Sequence, residues 1–246
     1  MIRDIKTVFW RDWIVLKKRL VKFIFSRMVA PILYLTAFGL GLGRNVQLDS
    51  GNYLDFIVPG IIALNSMNIS FHSIISIHAE KVYHKSLEEY LLSPIRAESF
   101  LIGKILGSVL RAIISSIIII FLAKIFGANF SLSPIFFFVI ILNSIIFSEI
   151  GFIAAMKLST YEEVAQVNTY ILLPMSFLCG TFFSTKILPP AIKFFINLLP
   201  LTHASDLLRK ISFGEDFFIS SMLILIFYSI AGFFICKKIF EKISDE

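Results

Sequence analysis

The sequence has few of the features expected of a soluble enzyme. Only 16% of its 246 residues are charged, and its two cysteines, Cys179 and Cys236, suggest neither a metal site nor a disulfide framework. It lacks the G-x-x-x-x-G-K-[ST] loop of ATP-binding proteins, the G-x-S-x-G elbow of hydrolases and the H-E-x-x-H spacing of zinc enzymes. We therefore expect no catalytic residues, no metal site and no nucleotide bound by this chain.

Apolar residues dominate what is present. They make up 57% of the chain, which includes 27 phenylalanines and has a mean hydropathy of +0.84, a composition that water-soluble domains do not carry. A membrane-spanning helix needs roughly 20 apolar residues. Six such runs predict an all-α integral membrane protein with a single domain over residues 1–246; they lie at about residues 21–43, 54–78, 99–126, 135–158, 164–183 and 217–236.

The basic residues in the connections predict the orientation. If the N-terminus is cytosolic, most connecting Lys and Arg residues fall on the cytosolic side, in agreement with the positive-inside rule. The outer connections then carry only Arg44, Lys186, Lys193, Arg209 and Lys210. We expect both termini to be cytosolic and the net charge of +6 to reflect orientation. We expect no nucleic-acid partner, since the charges do not cluster with aromatic stacking positions.

The first 20 residues alternate apolar and basic side chains at helical spacing. Trp10 and Trp13 are suited to the headgroup level, and Lys6, Lys17 and Lys18 to contact with anionic lipid. This pattern predicts a helix that lies in the membrane interface. Anchoring to the membrane lipid and contact with a protein partner are both compatible with it.

Two sets of polar residues lie inside the predicted spans. Asn65, Asn68, His72 and Ser76 form a stripe at helical spacing that must face protein or water, either for interhelical hydrogen bonding or for substrate contact. In the third predicted span, Gly103 and Gly107 have the G-x-x-x-G spacing that permits close helix approach.

Two ionisable residues, Arg111 and Glu149, lie in the third and fourth predicted spans. Charges at such depth are costly and usually mark a pathway or an ion pair. Our hypothesis is that Glu149 lines the interior, where it is either paired, with Arg111 as one candidate, or hydrated from the cytosolic side. Arg111 has the alternative of extending its charge to the interface.

The charged loop at residues 79–98 predicts a short helix. Ser86 and Glu89 have the spacing of a capping box, and Pro94 ends the helix. Its apolar face consists of Leu87, Tyr90 and Leu91. Glu88 and Glu89 lie to the side of that face. Such a helix suits docking into a groove of a soluble partner, and it also suits a position on the lipid headgroups.

Two further connections carry helix signals. The turn at residues 159–163 has two overlapping capping boxes, and its Glu162 and Glu163 are accessible to a cytosolic partner.

In the connection at residues 184–216, Pro189 and Pro190 can start a helix and Pro200 can end it. Thr202 can then cap a second helix that runs through Leu208. These helices are too short to span, so we predict a re-entrant hairpin that closes the outer end of a pathway.

Four stretches, taken together in order and spacing, give the chain a family resemblance over nearly its whole length. They are YLDFIVPGIIALN at 53–65, HKSLEEYLLSPI at 84–95 with the Gly103 and Gly107 region behind it, TYEEVAQVNTYILLPMSFLCGTFFSTKILPP at 160–190 and PLTHASDLLR at 200–209. The chain resembles the type-2 ABC transporter permeases. It is most similar to the drug-resistance and nodulation-factor export permeases.

The resemblance implies a six-span permease of the cytoplasmic membrane that forms a dimer, most simply a homodimer. Each copy would receive a separate ATPase subunit, which holds ATP and Mg. The coupling helix of the family maps onto residues 86–92, and the N-terminal helix and residues 160–163 would also approach the ATPase. The outer gate maps onto residues 189–209, including Pro189, Pro190, Pro200 and Arg209.

The resemblance also implies export of an amphipathic or lipid-like substrate or a drug. Export of a polysaccharide or glycolipid is less favoured, because the Leu-Gly-x-x-Trp run of that branch is absent. An importer and a lipid floppase remain open alternatives. So does a membrane scaffold or channel without an ATPase, although a scaffold has no need for a carefully capped docking loop.

Overall fold

The computed structural model describes residues 1–42, 52–82, 95–216 and 219–245. No β-strand occurs within these ranges, in agreement with the predicted all-α fold. In chain order, the α-helices are α1 Ile2–Lys18, α2 Leu20–Tyr34, α3 Tyr53–Val82, α4 Ala97–Ile125, α5 Pro134–Lys157, α6 Tyr161–Val167, α7 Leu173–Leu178, α8 Pro190–Asn197, α9 Pro200–Phe213 and α10 Ile219–Asp245.

Five helices of the described part are long and apolar enough to cross a membrane. They cover Leu20–Gly39, Tyr53–Lys81, Ala97–Ile125, Pro134–Lys157 and Ile219–Ile243, close to the first four and the last of the predicted spans. The fifth predicted span, residues 164–183, falls on α6, a π-helical segment Asn168–Leu172 and α7. These segments have 7, 5 and 6 residues, and each is too short to span a membrane by itself, so the six-span count stays a prediction.

The first span contains a change of helical geometry. Pro31 lies inside α2, and α2 continues directly into a π-helical segment, Leu35–Leu42. Because proline has no backbone N–H, the carbonyl of Arg27 loses its helical hydrogen bond. The backbone of this span is therefore less regular than that of its neighbours, at the level where a cavity opens beside it.

The core is built around α3, which packs against α4, α5 and α9. Its buried side chains include Ile61, Met67 and Phe71, which share a cluster with Phe136 and Phe147 of α5. The buried side-chain amide of Asn143 in α5 donates to Ser66 Oγ at 2.7 Å and to the carbonyl oxygen of Ala63 at 3.1 Å. Apolar packing and interhelical hydrogen bonds thus fix α3 against α5.

Helix α1 packs along α4 over the predicted G-x-x-x-G pair. A methyl group at Gly103 would lie 2.7 Å from Val8 Cβ, and one at Gly107 would lie 3.0 Å from Asp12 Oδ2. The two glycines therefore permit the close approach that their spacing predicts, with α1 as the partner helix. The position of α1 in a membrane interface stays a prediction.

The connection before α10 contains two helices, as predicted, but their limits differ from the prediction. Pro190 occupies the first turn of α8, whereas Pro200 begins α9 and Thr202 lies inside it. Thr202 is therefore not the cap: its hydroxyl donates to the carbonyl oxygen of Ile196 at 2.6 Å. The reason is that proline suits the first helical position. Helix α9 then continues to Phe213, beyond the predicted end.

Candidate functional site

The predicted coupling helix falls in a gap of the described chain. Its residues Ser86, Leu87, Glu88, Glu89, Tyr90 and Leu91 lie outside the described residues. What is described is where the loop leaves and returns, at the end of α3 and at Ile95 before α4. The surroundings of these two ends are therefore the structural context of the predicted docking loop.

The turn before α6 is a capping box. Thr160 Oγ1 accepts a hydrogen bond from the Glu163 backbone N–H at 3.2 Å, and the Glu163 carboxylate accepts from the backbone N–H groups of Ser159 and Thr160. Of the two predicted boxes, the one at Thr160 is thus formed. Glu162 is exposed, so one carboxylate fixes the turn and the other remains available at the surface.

A buried cation joins α1, α3 and α4 beside the loop. Lys104 is 3% exposed, and its Nζ lies 3.4 Å from Asp12 Oδ1 and 3.3 Å from Glu80 Oε1. Arg11 Nη2 lies 3.6 Å from the same Glu80 oxygen. A buried ammonium requires such partners. We did not predict this network, although a lysine beside the two packing glycines was a signal for it.

A cavity of about 300 Å³ lies between α2 and α3, and we call it the α2–α3 cavity. It brings together Asn65, Asn68 and His72, three of the five predicted pathway residues. Asn65 also donates through Nδ2 to Ser115 Oγ at 2.9 Å. Of the two predicted roles, interhelical hydrogen bonding is therefore formed at Asn65, whereas substrate contact stays a prediction.

Arg27 of α2 lines the same cavity and was not among our predicted residues. Its Nε is buried and has no hydrogen-bond partner among the described residues. The guanidinium carbon lies 5.6 Å from the centroid of the Phe23 ring. A single arginine inside the first apolar run was the signal in the sequence, since isolated charges in spans mark functional sites.

A second cavity of about 160 Å³ shares Tyr34, Leu64 and Asn68 with the first, and we call it the adjoining cavity. Its remaining lining residues come from the helical stretch after α6 and from the segment that follows it: Asn168, Leu173, Ser176, Phe177 and Phe182. The two cavities thus lie next to each other, with Arg27 in the lining of the first and Phe177 in the lining of the second.

Glu149 and Arg111, the remaining two predicted pathway residues, lie away from these cavities. Glu149 is 1% exposed and lies in α5 against Gly232 and Cys236 of α10. In the described part of the chain, neither of its carboxylate oxygens has a hydrogen-bond partner, and no ion pair joins it to Arg111. The Arg111 pairing that we considered is therefore not formed in this structure.

Of the predicted gate residues, Arg209 makes the most specific contacts. Its Nε donates to the carbonyl oxygen of Phe56 at 3.2 Å, and its Nη2 donates to that of Gly180 at 2.5 Å. Burial lowers the pKa of Arg209 to about 10, so the guanidinium is charged at neutral pH. Pro189 and Pro190 begin α8 and Pro200 begins α9; the three prolines thus fix where the hairpin helices start.

Arg209 is one of several groups that hold the segment 179–183. Tyr53 donates to the Phe182 carbonyl oxygen at 2.7 Å, and Ser205 donates to that of Cys179 at 2.6 Å. Gly60 leaves room for the Thr181 backbone, which a methyl group there would overlap. We use the name 179–183 clasp for this segment together with the four residues that hold it, Tyr53, Gly60, Ser205 and Arg209. Three of the stretches that carry the family resemblance meet in it, and we did not predict that they would.

The described residues contain no group of three His, Cys, Asp or Glu side chains that could hold a metal ion. Cys179 and Cys236 are both buried and free. Cys236 lies against the backbone of Glu149, and Cys179 belongs to the 179–183 clasp.

The sequence matches the profile of the ABC-2 type transporter family over residues 3–213. It is similar to the inner membrane transport permease YadH of Escherichia coli K12, with 22% identity over 245 residues, covering 94% of this chain and 96% of the relative. It is also similar to nodulation protein J of Rhizobium meliloti, with 25% identity over 240 residues, covering 96% of this chain and 92% of the relative. A nodulation protein J from Bradyrhizobium diazoefficiens shows 24% identity over 242 residues.

Proposed function

Since the chain belongs to the ABC-2 type transporter family, we propose that this multi-pass permease is the membrane subunit of an ATP-driven exporter in the cytoplasmic membrane. It would move an amphipathic or lipid-like substrate or a drug, with ATP and Mg bound by a separate ATPase subunit. The observation that carries the proposal is the family match over residues 3–213, which includes the predicted docking loop and the pathway candidates. The printed name of the Escherichia coli relative, an inner membrane permease, supports the location.

In the proposed mechanism, the ATPase docks at residues 86–91 with support from Glu162 and Glu163. Glu80, near the end of α3, and Lys104, near the start of α4, flank that loop and are linked to α1. Movement of the loop would therefore be transmitted to three helices together. The orientation that this requires places both termini in the cytosol, as the basic residues predict.

The substrate pathway in this proposal includes the α2–α3 cavity. Asn65, Asn68 and His72 supply amide and imidazole groups there, while the 179–183 clasp and α8–α9 form the outer gate. Two copies of the chain would form the complete pathway. ATP shifts such a transporter between two states only by the difference in its affinity for them, so the docking loop must contact the ATPase differently in each state.

Copurification tests the proposal. The tagged chain is purified from its own membranes in mild detergent, and its partners are identified by mass spectrometry. We expect an ATPase subunit that carries a P-loop, and we expect it to be lost in Leu91→Asp. The matched control is Ile187→Asp, the same kind of change at a side chain that is 75% exposed in the hairpin connection.

Two results would refute the proposal. One is a chain that purifies without any ATPase and shows no ATP-dependent activity with candidate subunits. The other is normal ATPase recovery and normal export in Leu91→Asp, which would remove the docking loop from the mechanism.

A further inference from the structure

Arg27 is a cation within a candidate span that has no ion-pair partner among the described residues. It lies seven residues after Leu20, the first residue of that span, which corresponds to roughly 10 Å along a helix. Within the described part of the chain, its Nε is buried without a hydrogen-bond partner, and its guanidinium lies near the Phe23 ring. Charged groups at such depth almost always pair or face a cavity. Arg27 does the second, because it lines the α2–α3 cavity.

The lining of this cavity favours an anion. Among the residues that the structure describes, it contains one charged residue, Arg27, and one imidazole, His72, but no carboxylate. A cation would meet a positive field without a counter-charge, whereas an anion would supply the partner that the guanidinium lacks.

The polar side chains around Arg27 offer further donors. His72 Nδ1 lies 2.7 Å from the Asn68 carbonyl oxygen, and because a carbonyl oxygen only accepts, Nδ1 carries the hydrogen. The side-chain amide of Asn68 makes no hydrogen bond with any described residue, so its N–H groups are also available to a ligand.

The adjoining cavity continues from the first one with a lining of mixed polarity. It shares Asn68 and Tyr34 with the α2–α3 cavity and adds polar side chains together with the apolar Leu173, Phe177 and Phe182. A ligand with a charged head at Arg27 and a hydrocarbon chain can place that chain against these three apolar side chains. The combined size is in the range of small-molecule sites, which start at about 300 Å³.

We propose that the two cavities bind an amphiphile with an anionic headgroup, such as a phosphate, sulphate or carboxylate, with Arg27 as its anchoring cation. The headgroup is held by Arg27 and Asn68, and the hydrocarbon chain lies along Leu173 and Phe177. This inference rests on the proposed function for its meaning, since it names the substrate class of the permease. The binding itself requires neither ATP nor an ATPase.

A binding measurement on the intact purified chain tests this. The chain in the uncharged detergent dodecyl maltoside is titrated with dodecyl phosphate and, separately, with zwitterionic dodecylphosphocholine, and adducts are counted by native mass spectrometry. We expect dodecyl phosphate to bind about tenfold more tightly, as one charge-assisted contact allows. Arg27→Gln should abolish this preference, and Arg27→Lys should retain it within about threefold.

The control is Lys124→Gln, which removes a cation from the exposed end of α4, away from both cavities, and should leave binding unchanged. Equal affinity for the two amphiphiles, or an unchanged preference in Arg27→Gln, overturns the proposal. Inorganic phosphate that binds as tightly as dodecyl phosphate overturns its amphiphile part. If Arg27→Gln does not fold, Asn68→Leu replaces it, with an expected loss of about threefold; unchanged binding in that variant also overturns the proposal.

Failure of this proposal is distinguishable from failure of the proposed function. A chain that copurifies with its ATPase but binds dodecyl phosphate no better than dodecylphosphocholine refutes the anionic ligand alone. A chain that binds dodecyl phosphate through Arg27 but recruits no ATPase refutes the exporter alone.

Discussion

The guanidinium carbon of Arg209 lies 3.8 Å from the centroid of the Phe56 ring, while Nε of the same arginine donates to the Phe56 carbonyl oxygen. Arg209 of α9 thus contacts both the ring and the backbone of Phe56 in α3. The second hydrogen bond of Arg209 reaches Gly180, so a single side chain joins α3, α9 and the segment at residues 179–183.

Replacing Arg209 by Gln should therefore destabilise the fold. The change removes a desolvated cation–π contact and two charge-assisted hydrogen bonds, and we expect a loss of about 2–4 kcal/mol. Thermal unfolding of the purified chain in detergent measures it. Lys210→Gln is the control, because Lys210 pairs with the more exposed Asp206 and should cost no more than about 1 kcal/mol. Equal unfolding temperatures for the two variants would contradict the role of Arg209.

Replacing Gly60 by Ala tests the 179–183 clasp at its tightest point. The added methyl group would overlap the Thr181 carbonyl oxygen, and backbone cannot move away as a flexible side chain can. We expect a loss of about 1–3 kcal/mol, the usual cost of overpacking, and a lower unfolding temperature. In Gly41→Ala the nearest atom of the described residues, the Thr36 carbonyl oxygen, would lie 3.8 Å away. That control should keep the wild-type unfolding temperature. If Gly60→Ala also kept it, the backbone around Thr181 would have moved to accommodate the methyl group, which would contradict a tight contact there.

Replacing Lys104 by Met should loosen α1 from the rest of the protein. The variant leaves Asp12 and Glu80 near each other without the buried cation. Removing one partner of a buried ion pair lowers the free energy of unfolding by about 3–5 kcal/mol. We expect faster hydrogen exchange in α1, measured by mass spectrometry, than in α5. Combining Lys104→Met with Glu80→Gln should restore part of the loss. Strict additivity of the two changes would mean that the ion pair contributes little.

Glu149 and Asn143 should respond in opposite ways to the loss of their polar groups. Glu149→Gln removes an ionisable group whose carboxylate oxygens have no hydrogen-bond partner in the described chain, so we expect an unchanged or higher unfolding temperature. Asn143→Leu removes an amide that is bonded to Ala63 and Ser66, and we expect a loss of about 1–3 kcal/mol. A strong loss in Glu149→Gln would indicate that the carboxyl group has an undiscovered partner, such as an ion or a second copy of the chain.

The apolar runs predicted the spans well because length and hydropathy alone define a candidate membrane helix. The spacing of Gly103 and Gly107 likewise predicted a close approach. The sequence did not indicate which helix would approach, because any neighbouring helix can pack against the surface that the two glycines leave open. The capping box at Thr160 was predictable for a related reason: both of its residues lie within one turn of the chain.

The residues that were missed depend on contacts between distant segments. Arg27 was missed because the orientation rule uses cations in the connections, while its significance comes from a cavity that is lined by both α2 and α3. Lys104 acquires its role from carboxylates 92 and 24 residues away. Thr202 was misassigned because two start signals, a proline and a threonine, lie two residues apart, and the proline determined the start of α9.

The 179–183 clasp has a consequence for how this protein can diverge in evolution. Tyr53, Ser205 and Arg209 all donate to main-chain carbonyl oxygens, which every residue type provides. The side chains at positions 181 and 182 can therefore change without a compensating change in the three donors. The main-chain path of this segment can therefore stay constant while its side chains diverge. Correlated substitutions will not reveal these contacts, so they must be read from coordinates.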